Sequence, residues 1–152
     1  MAKPVPENYL IRASLYEEAI EPWVWCNSEV PNGYVTIKNV KNSKKITVFQ
    51  RRLNANFARK YDNAKTLPIS DIFEENKILV ISEFYRNFLD IQTSKEDGDG
   101  VTLTVTKAKW WQLLLLPYPN PTVQLANRLT YISIFISVFS ILIGVLISKG
   151  GT

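Results

Sequence analysis

From Leu129 to Ile147 the chain reads LTYISIFISVFSILIGVLI, and no charged residue lies between Arg128 and Lys149. A helix of about twenty residues reaches roughly 30 Å, the thickness of the hydrocarbon core of a bilayer. The other home for a helix apolar on every face is the middle of a large soluble core, and a chain of 152 residues has too little interior to surround one. The expectation is a transmembrane helix over residues 129–148 and a short tail, KGGT, over residues 149–152.

The opening MAKPVPENYLIRASLYEEAIEPW scatters acids and lacks an apolar run ahead of a small-residue cleavage site, so no secretory signal is read there. That predicts a tail-anchored, single-pass protein with its N-terminal domain in the cytoplasm. Lys107, Lys109 and Arg128 before the span, against Lys149 after it, lean the same way. The single cysteine, Cys26, has no intrachain partner for a disulfide, which suits a reducing compartment.

Within the span, Ser133, Ser137, Ser140, Gly144 and Ser148 fall on one helical stripe, opposite Ile134, Phe135, Val138, Ile141, Leu142 and Val145. Small residues let two backbones approach closely in lipid. The stripe predicts a partner helix, from a second copy or from another membrane protein; the alternative is a chance distribution of residues common in single spans.

Trp110 and Trp111 precede Leu113 to Leu116 and then PYPNP. Pro117, Pro119 and Pro121 disfavour helix interior and central strand, so residues 117–128 read as a proline-containing membrane-proximal linker. Trp110, Trp111, Tyr118 and Tyr131 are candidates for an aromatic membrane-interface belt, with Lys107 and Lys109 adding attraction to anionic membrane lipid. The competing reading has Trp111 and the leucines finish the last strand and fill the core.

Residues 1–116 suffice for one modest core. Short β-branched or aromatic runs recur at Trp23 to Cys26, Tyr34 to Ile37, Lys45 to Gln50, Lys77 to Ile81 and Val101 to Val105, each flanked by turn or charged residues. The fold class expected is mainly β: a small β-barrel or β-rich domain with short helices, plus one C-terminal transmembrane α-helix. Arg51 to Lys60 and Glu83 to Leu89 carry helical repeats and are expected to close a barrel end. PENYLIRASLYEEAIEPW is a candidate for one further helix, with Leu10, Ala13, Leu15 and Ile20 as core contacts.

The succession NKILVISEFYRNFLDI, EDGDG, VTLTVTKA gives a strand, a helical turn with Arg86 and Leu89, a short strand at Asp90 and Ile91, a Gly-Asp turn and an alternating strand. It resembles the half-unit of cradle-loop barrels, the swapped-hairpin and double-psi folds, over residues 45–106. The upstream stretch KKITVFQRRLNANFARKYDNAKTLPI is a candidate for a divergent first half, although it lacks the Gly-Asp turn. The resemblance implies a fold only, since such barrels serve unrelated functions.

With no histidine and one cysteine, a soft-metal site, a Ser-His-Asp triad and a Cys-His pair cannot be assembled from this chain alone. No phosphate-binding glycine motif occurs. The adjacent acids Glu17 and Glu18, and Glu74 and Glu75, read as solvated surface, and the acidic loop Glu96, Asp97, Asp99 lacks a calcium-loop pattern. No cofactor and no catalytic activity are expected.

Between Pro31 and Tyr61 lie Lys38, Lys41, Lys44, Lys45, Arg51, Arg52, Arg59 and Lys60 without an acid, while Asp62 to Thr106 is acidic. Lys44, Lys45, Arg51, Arg52, Arg59 and Lys60 are the candidate interaction or phosphate-binding residues, with arginine suited to bidentate contacts. Lipid headgroups, nucleic acid and the acidic face of a neighbouring copy compete as partners, and simple solvation is the plain alternative. Tyr34, Phe49 and Phe57 are near enough in sequence to stack on bases, but their periodicity favours the core. The leading expectation is a membrane-anchored interaction or scaffold subunit, forming a homo-oligomer or recruiting a partner membrane protein. The alternatives are a membrane-tethered nucleic-acid-binding regulator and an accessory subunit of a larger membrane enzyme.

Overall fold

The computed structural model describes residues 5–28, 32–62, 68–94 and 100–150, with the side chains of residues 70, 114, 115 and 147–150 left aside. Among the described residues six strands form: β1 (Glu7–Ala13), β2 (Trp23–Cys26), β3 (Gly33–Asn39), β4 (Lys45–Arg52), β5 (Lys77–Ile81) and β6 (Val101–Lys107). They close into a barrel in the order β1-β5-β2-β4-β3-β6. β1 runs parallel to β5 and β2 parallel to β4, and the other four pairings are antiparallel.

Exchanging β1 with β4, β2 with β5 and β3 with β6 reproduces every pairing and its direction. The barrel therefore has an internal pseudo-two-fold relating β1–β3 to β4–β6. This corrects the expected division of the repeat: KKITVFQRR is β4, the opening strand of the second half, and the counterpart of β5 is β2. The Gly-Asp turn falls mostly outside the described residues, as do Glu96, Asp97 and Asp99.

Side chains alternate across the barrel wall. Tyr9, Ile11, Val24, Cys26, Val35, Ile37, Ile46, Val48, Leu79, Ile81 and Leu103 point inward and form the main core. A second cluster lies outside β1 and β5. There Leu10, Ile78 and Val80 are covered by Leu53, by α1 (Ala55–Ala58) and its following 3-10 turn (Arg59–Tyr61), and by α2 (Ile69–Ile72). The stretch from Arg51 thus starts as strand, and its helical part packs on the barrel wall rather than on a barrel end.

β1 overturns the helical reading of the N-terminal stretch. Tyr9, Leu10 and Ile11 are buried in succession because the strand is covered on both faces, and such a run has no period that separates strand from helix. Leu10 is core as expected, whereas Ala13 is exposed and Ile20 stands 62% exposed in the connection after the 3-10 turn Tyr16–Glu18.

α3 (Glu83–Leu89) follows the expected bounds and does enter the barrel core, through Tyr85 and Leu89. Asp90 and Ile91 form no strand: Asp90 ends α3 in the left-handed conformation at φ 56°, and Ile91 drops into the core. β6 ends at Lys107, and Trp111 lies in a 3-10 segment (Trp110–Leu115) rather than finishing the strand.

α4 (Pro121–Gly150) is a separate compact unit. The Asn120 side chain accepts the Thr122 N–H at 3.0 Å and its carbonyl accepts the Gln124 N–H at 3.0 Å, so Asn120 caps the helix and Pro121 is its first residue. The helix is longer than the apolar run: it takes in residues 121–128 as well. Its Pro121–Leu146 part is long and apolar enough to cross a membrane, with a mean hydropathy of 2.4 over its most apolar 18-residue window.

Candidate interaction surface

α3 presents two neighbouring faces. Tyr85 and Leu89, four apart, face the core; Phe84 packs against its edge and meets the exposed Phe88 with ring centroids 5.1 Å apart. Phe88 is 48% exposed. The helix is held by the β3–β4 hairpin: the Leu89 carbonyl accepts Asn39 Nδ2 at 2.9 Å and Asn42 Nδ2 at 3.0 Å. Those bonds bring the basic hairpin alongside the aromatic helix. Within it Lys38 and Lys45 are directly opposite across the strands and both exposed, whereas Lys44 pairs with Asp90 at 3.5 Å.

The segment after β6 completes the surface. The Lys109 N–H donates to Gln112 Oε1 at 2.6 Å, turning the chain into the Trp110–Leu115 segment, which packs on β4. The Tyr85 hydroxyl then donates to the Pro117 carbonyl at 3.1 Å, tying this strap to α3. Between strap, helix and β4 lies an open groove of about 230 Å³ lined by Lys45, Thr47, Phe88, Trp111, Gln112 and Pro117. A smaller hollow of about 120 Å³ adjoins it, with Tyr34, Tyr85, Pro117 and Tyr118 in its wall. Trp110 is 76% and Trp111 44% exposed.

The basic candidates divide into two groups. Lys44 and Lys45 sit by the hairpin, and Arg51 and Arg52 at the other end of β4, about 23 Å away at strand rise. Arg59 and Lys60 lie on the turn after α1, and Arg52, Arg59 and Lys60 are exposed. Arg51 is engaged within the fold: its guanidinium lies 3.9 Å from the Trp23 ring centroid and 5.5 Å from that of Trp25. Lys60 stands 4.6 Å over Phe57, which itself packs on Trp25 and Tyr61 in the outer cluster. Tyr34 meets Phe49 edge-on at 5.2 Å and stays 39% exposed.

The Cys26 thiol and three tyrosine phenols are held in their neutral forms. Burial pushes the Cys26 thiol up, and burial likewise raises the phenols of Tyr9, Tyr61 and Tyr85 above the ordinary tyrosine range. The Tyr61 hydroxyl also donates to both Glu18 oxygens, at 2.9 and 3.0 Å. At the barrel rim Lys77 pairs with Glu7, and that contact lowers the Glu7 carboxyl.

On α4 the stripe residues Ser133, Ser137, Ser140 and Gly144 are exposed, and Tyr131 is half-buried. The three serine hydroxyls donate to their own helix, to the carbonyls of Leu129, Ser133 and Ile136 at 3.0, 2.8 and 2.8 Å. Open space lies around Gly144 where a side chain would stand.

Barrel and helix together define a closed, six-stranded mixed barrel joined in sequence to one candidate membrane span. Two rationally designed proteins, mkDPBB_sym_86 and mkDPBB_sym2, are similar at the level of fold. Each aligns with a TM-score of 0.43 and 13% identity over its whole length, covering 70% and 68% of this chain. No protein-family model and no curated protein matches the sequence.

Proposed function

We propose that this chain is a membrane-anchored, non-enzymatic interaction subunit. α4 crosses the bilayer once and holds the barrel at the cytoplasmic face, where it assembles with copies of itself or recruits a partner membrane protein. The supporting observation is α4 itself: a stretch of 26 residues whose most apolar 18-residue window has a mean hydropathy of 2.4, with none of that window buried by the chain. An apolar surface of that extent is stable in lipid or against another protein, not in water. Confinement to a membrane raises the effective concentration of weakly interacting surfaces without new contacts, which gives a small barrel a role through location alone.

The deciding experiment is the mass of the full-length protein extracted gently from its native membrane. A defined homo-oligomer, or a fixed complex with other membrane proteins, supports the proposal; a strict monomer that copurifies with nothing refutes it. Retention of a catalytic subunit in that complex selects the accessory-subunit form of the reading. Salt-dependent nucleic-acid binding, lost on neutralising Arg52, Arg59 and Lys60, would replace it with the nucleic-acid reading.

A further inference from the structure

We infer that the groove between α3 and the strap, with the β3–β4 hairpin beside it, is a docking face for an anionic bilayer surface. The barrel then lies against the membrane through its own side chains as well as through the anchor. The inference rests on the anchoring part of the proposed function and adds a second contact to it.

Three independent features converge on one face. Phe88 and Trp111 line the same groove and keep 48% and 44% of their surface exposed, next to Trp110 at 76%. Tryptophan favours the headgroup layer because its ring is apolar and its indole N–H remains wet. Beside them, Lys38 and Lys45 are directly opposite in the β3–β4 ladder, an arrangement that is repulsive in isolation. The neighbouring carboxylate of Asp90 is paired with Lys44 instead. A surface rich in lipid phosphate relieves that repulsion, and the lysine stems can lie along it while their ammonium groups reach the phosphates.

The third feature is chain continuity. Pro117 lines the groove, and α4 begins at Pro121, so the connection is at most about 14 Å when fully extended. The eight helical residues that precede Leu129 add about 12 Å before the uncharged apolar run starts. That leash keeps the groove within reach of the headgroups, and the cost of bringing the two together is correspondingly small. A soluble peptide partner would gain nothing from the anchor's proximity, whereas a bilayer surface is supplied by it.

The test uses the full-length protein in vesicles of phosphatidylcholine with and without phosphatidylglycerol. Single cysteines replace Phe88, Trp111, Tyr16 and Ile141 in turn and carry a fluorophore, native Cys26 being fully buried and hence protected from the label. Lipids bearing a headgroup nitroxide serve as quenchers. The expected result is several-fold stronger quenching at positions 88 and 111 than at position 16, which is 95% exposed in the free barrel, and a dependence on phosphatidylglycerol. Lys38→Glu and Lys45→Glu should each lower the docked-to-free ratio by at least about fivefold. Water-like labels at 88 and 111 while 141 remains in lipid overturn the docking face and leave the anchor intact. Labels at 88 and 111 shielded from water but untouched by lipid nitroxide mean that protein fills the groove, and also overturn it. A water-exposed label at 141 removes the anchor and both readings together.

Discussion

Asn27 offers the most demanding test of how the barrel is fastened. Its side-chain amide donates to the carbonyls of Phe73 at 3.0 Å and Asn76 at 2.7 Å, and its Oδ1 accepts the Ile78 N–H at 2.6 Å. One residue after β2 therefore ties down the exit from α2 and the entry to β5. Asn27→Ala removes three hydrogen bonds of about 1 kcal/mol each; because the site is only part-buried, water recovers some of this, and the net loss should be about 2–3 kcal/mol. Asn27→Asp keeps the shape and the Ile78 contact but turns two donors into acceptors facing carbonyls, so at neutral pH it should cost at least as much as alanine. Those carbonyls favour the protonated carboxyl, so its folded-state pKa is raised. The stabilising effect of the proton is fully present below the unfolded-state value and is lost as pH rises through the folded one. Acidification should therefore restore the aspartate variant toward wild type and leave the alanine variant's deficit unchanged. Urea unfolding of the full-length protein in mild detergent, followed by tryptophan fluorescence, should show midpoints lowered by about 1–2 M at typical slopes. An aspartate variant as stable as wild type at neutral pH, or one with the alanine variant's pH profile, would refute the clamp.

Three further outcomes follow from individual contacts. Arg51→Met should lower stability by about 0.5–2 kcal/mol in the same urea assay by removing the stack on Trp23 and Trp25, and Arg51→Lys should recover only part of it because the planar guanidinium is lost; full recovery by lysine would argue against the stack. Asp90→Gly should raise the urea midpoint, since glycine relieves about 1 kcal/mol at φ 56° and the exposed pair with Lys44 returns at most about 0.5 kcal/mol; a lowered midpoint would show the pair to be the stronger effect. Tyr9, Tyr61 and Tyr85 should stay protonated in the native state when ordinary tyrosines ionise, so stability should fall as pH rises above about 10, and phenolate absorbance should appear for these three only on unfolding.

The strands easiest to read were those whose two faces differ. β3, β4 and β6 alternate because one side meets the core and the other is largely polar, and β5 was bounded by charged and polar residues on either side. β1 was hidden because cover on both faces erases alternation, and the helices that cover it lie far along the chain. Pro121 misled for a local reason: it is as good at the first position of a helix as it is bad in the middle, and the deciding cue was Asn120 before it. α3 could be placed from Phe84, Tyr85, Phe88 and Leu89, but not which pair would face out. That depends on the Leu89 carbonyl meeting Asn39 and Asn42, a contact across some fifty residues of sequence that no local pattern encodes. Lys45 and Arg52, members of one charge run, lie at opposite ends of one strand, a separation that the strand reading of Lys45 to Gln50 already implied.

The pseudo-two-fold explains why the segment after β6 is part of the barrel's construction. Each half has an outer wall in which a parallel pair of strands takes part, β1 with β5 and β4 with β2, and each wall must be shielded from water or used. The first is closed by α1 and α2, inserted between β4 and β5. No equivalent helical pair is inserted between β1 and β2, where only the 3-10 turn Tyr16–Glu18 stands. On the second wall, Thr47 of β4 is buried, only 9% exposed, and lines the groove with Trp111 and Pro117 of the strap. The segment after β6 thus covers part of the wall that the internal symmetry leaves open. Tyr85, which packs in the core, also holds the strap directly through the Pro117 carbonyl. The exposed aromatics beside that hydrogen bond are the ones the proposed docking face uses.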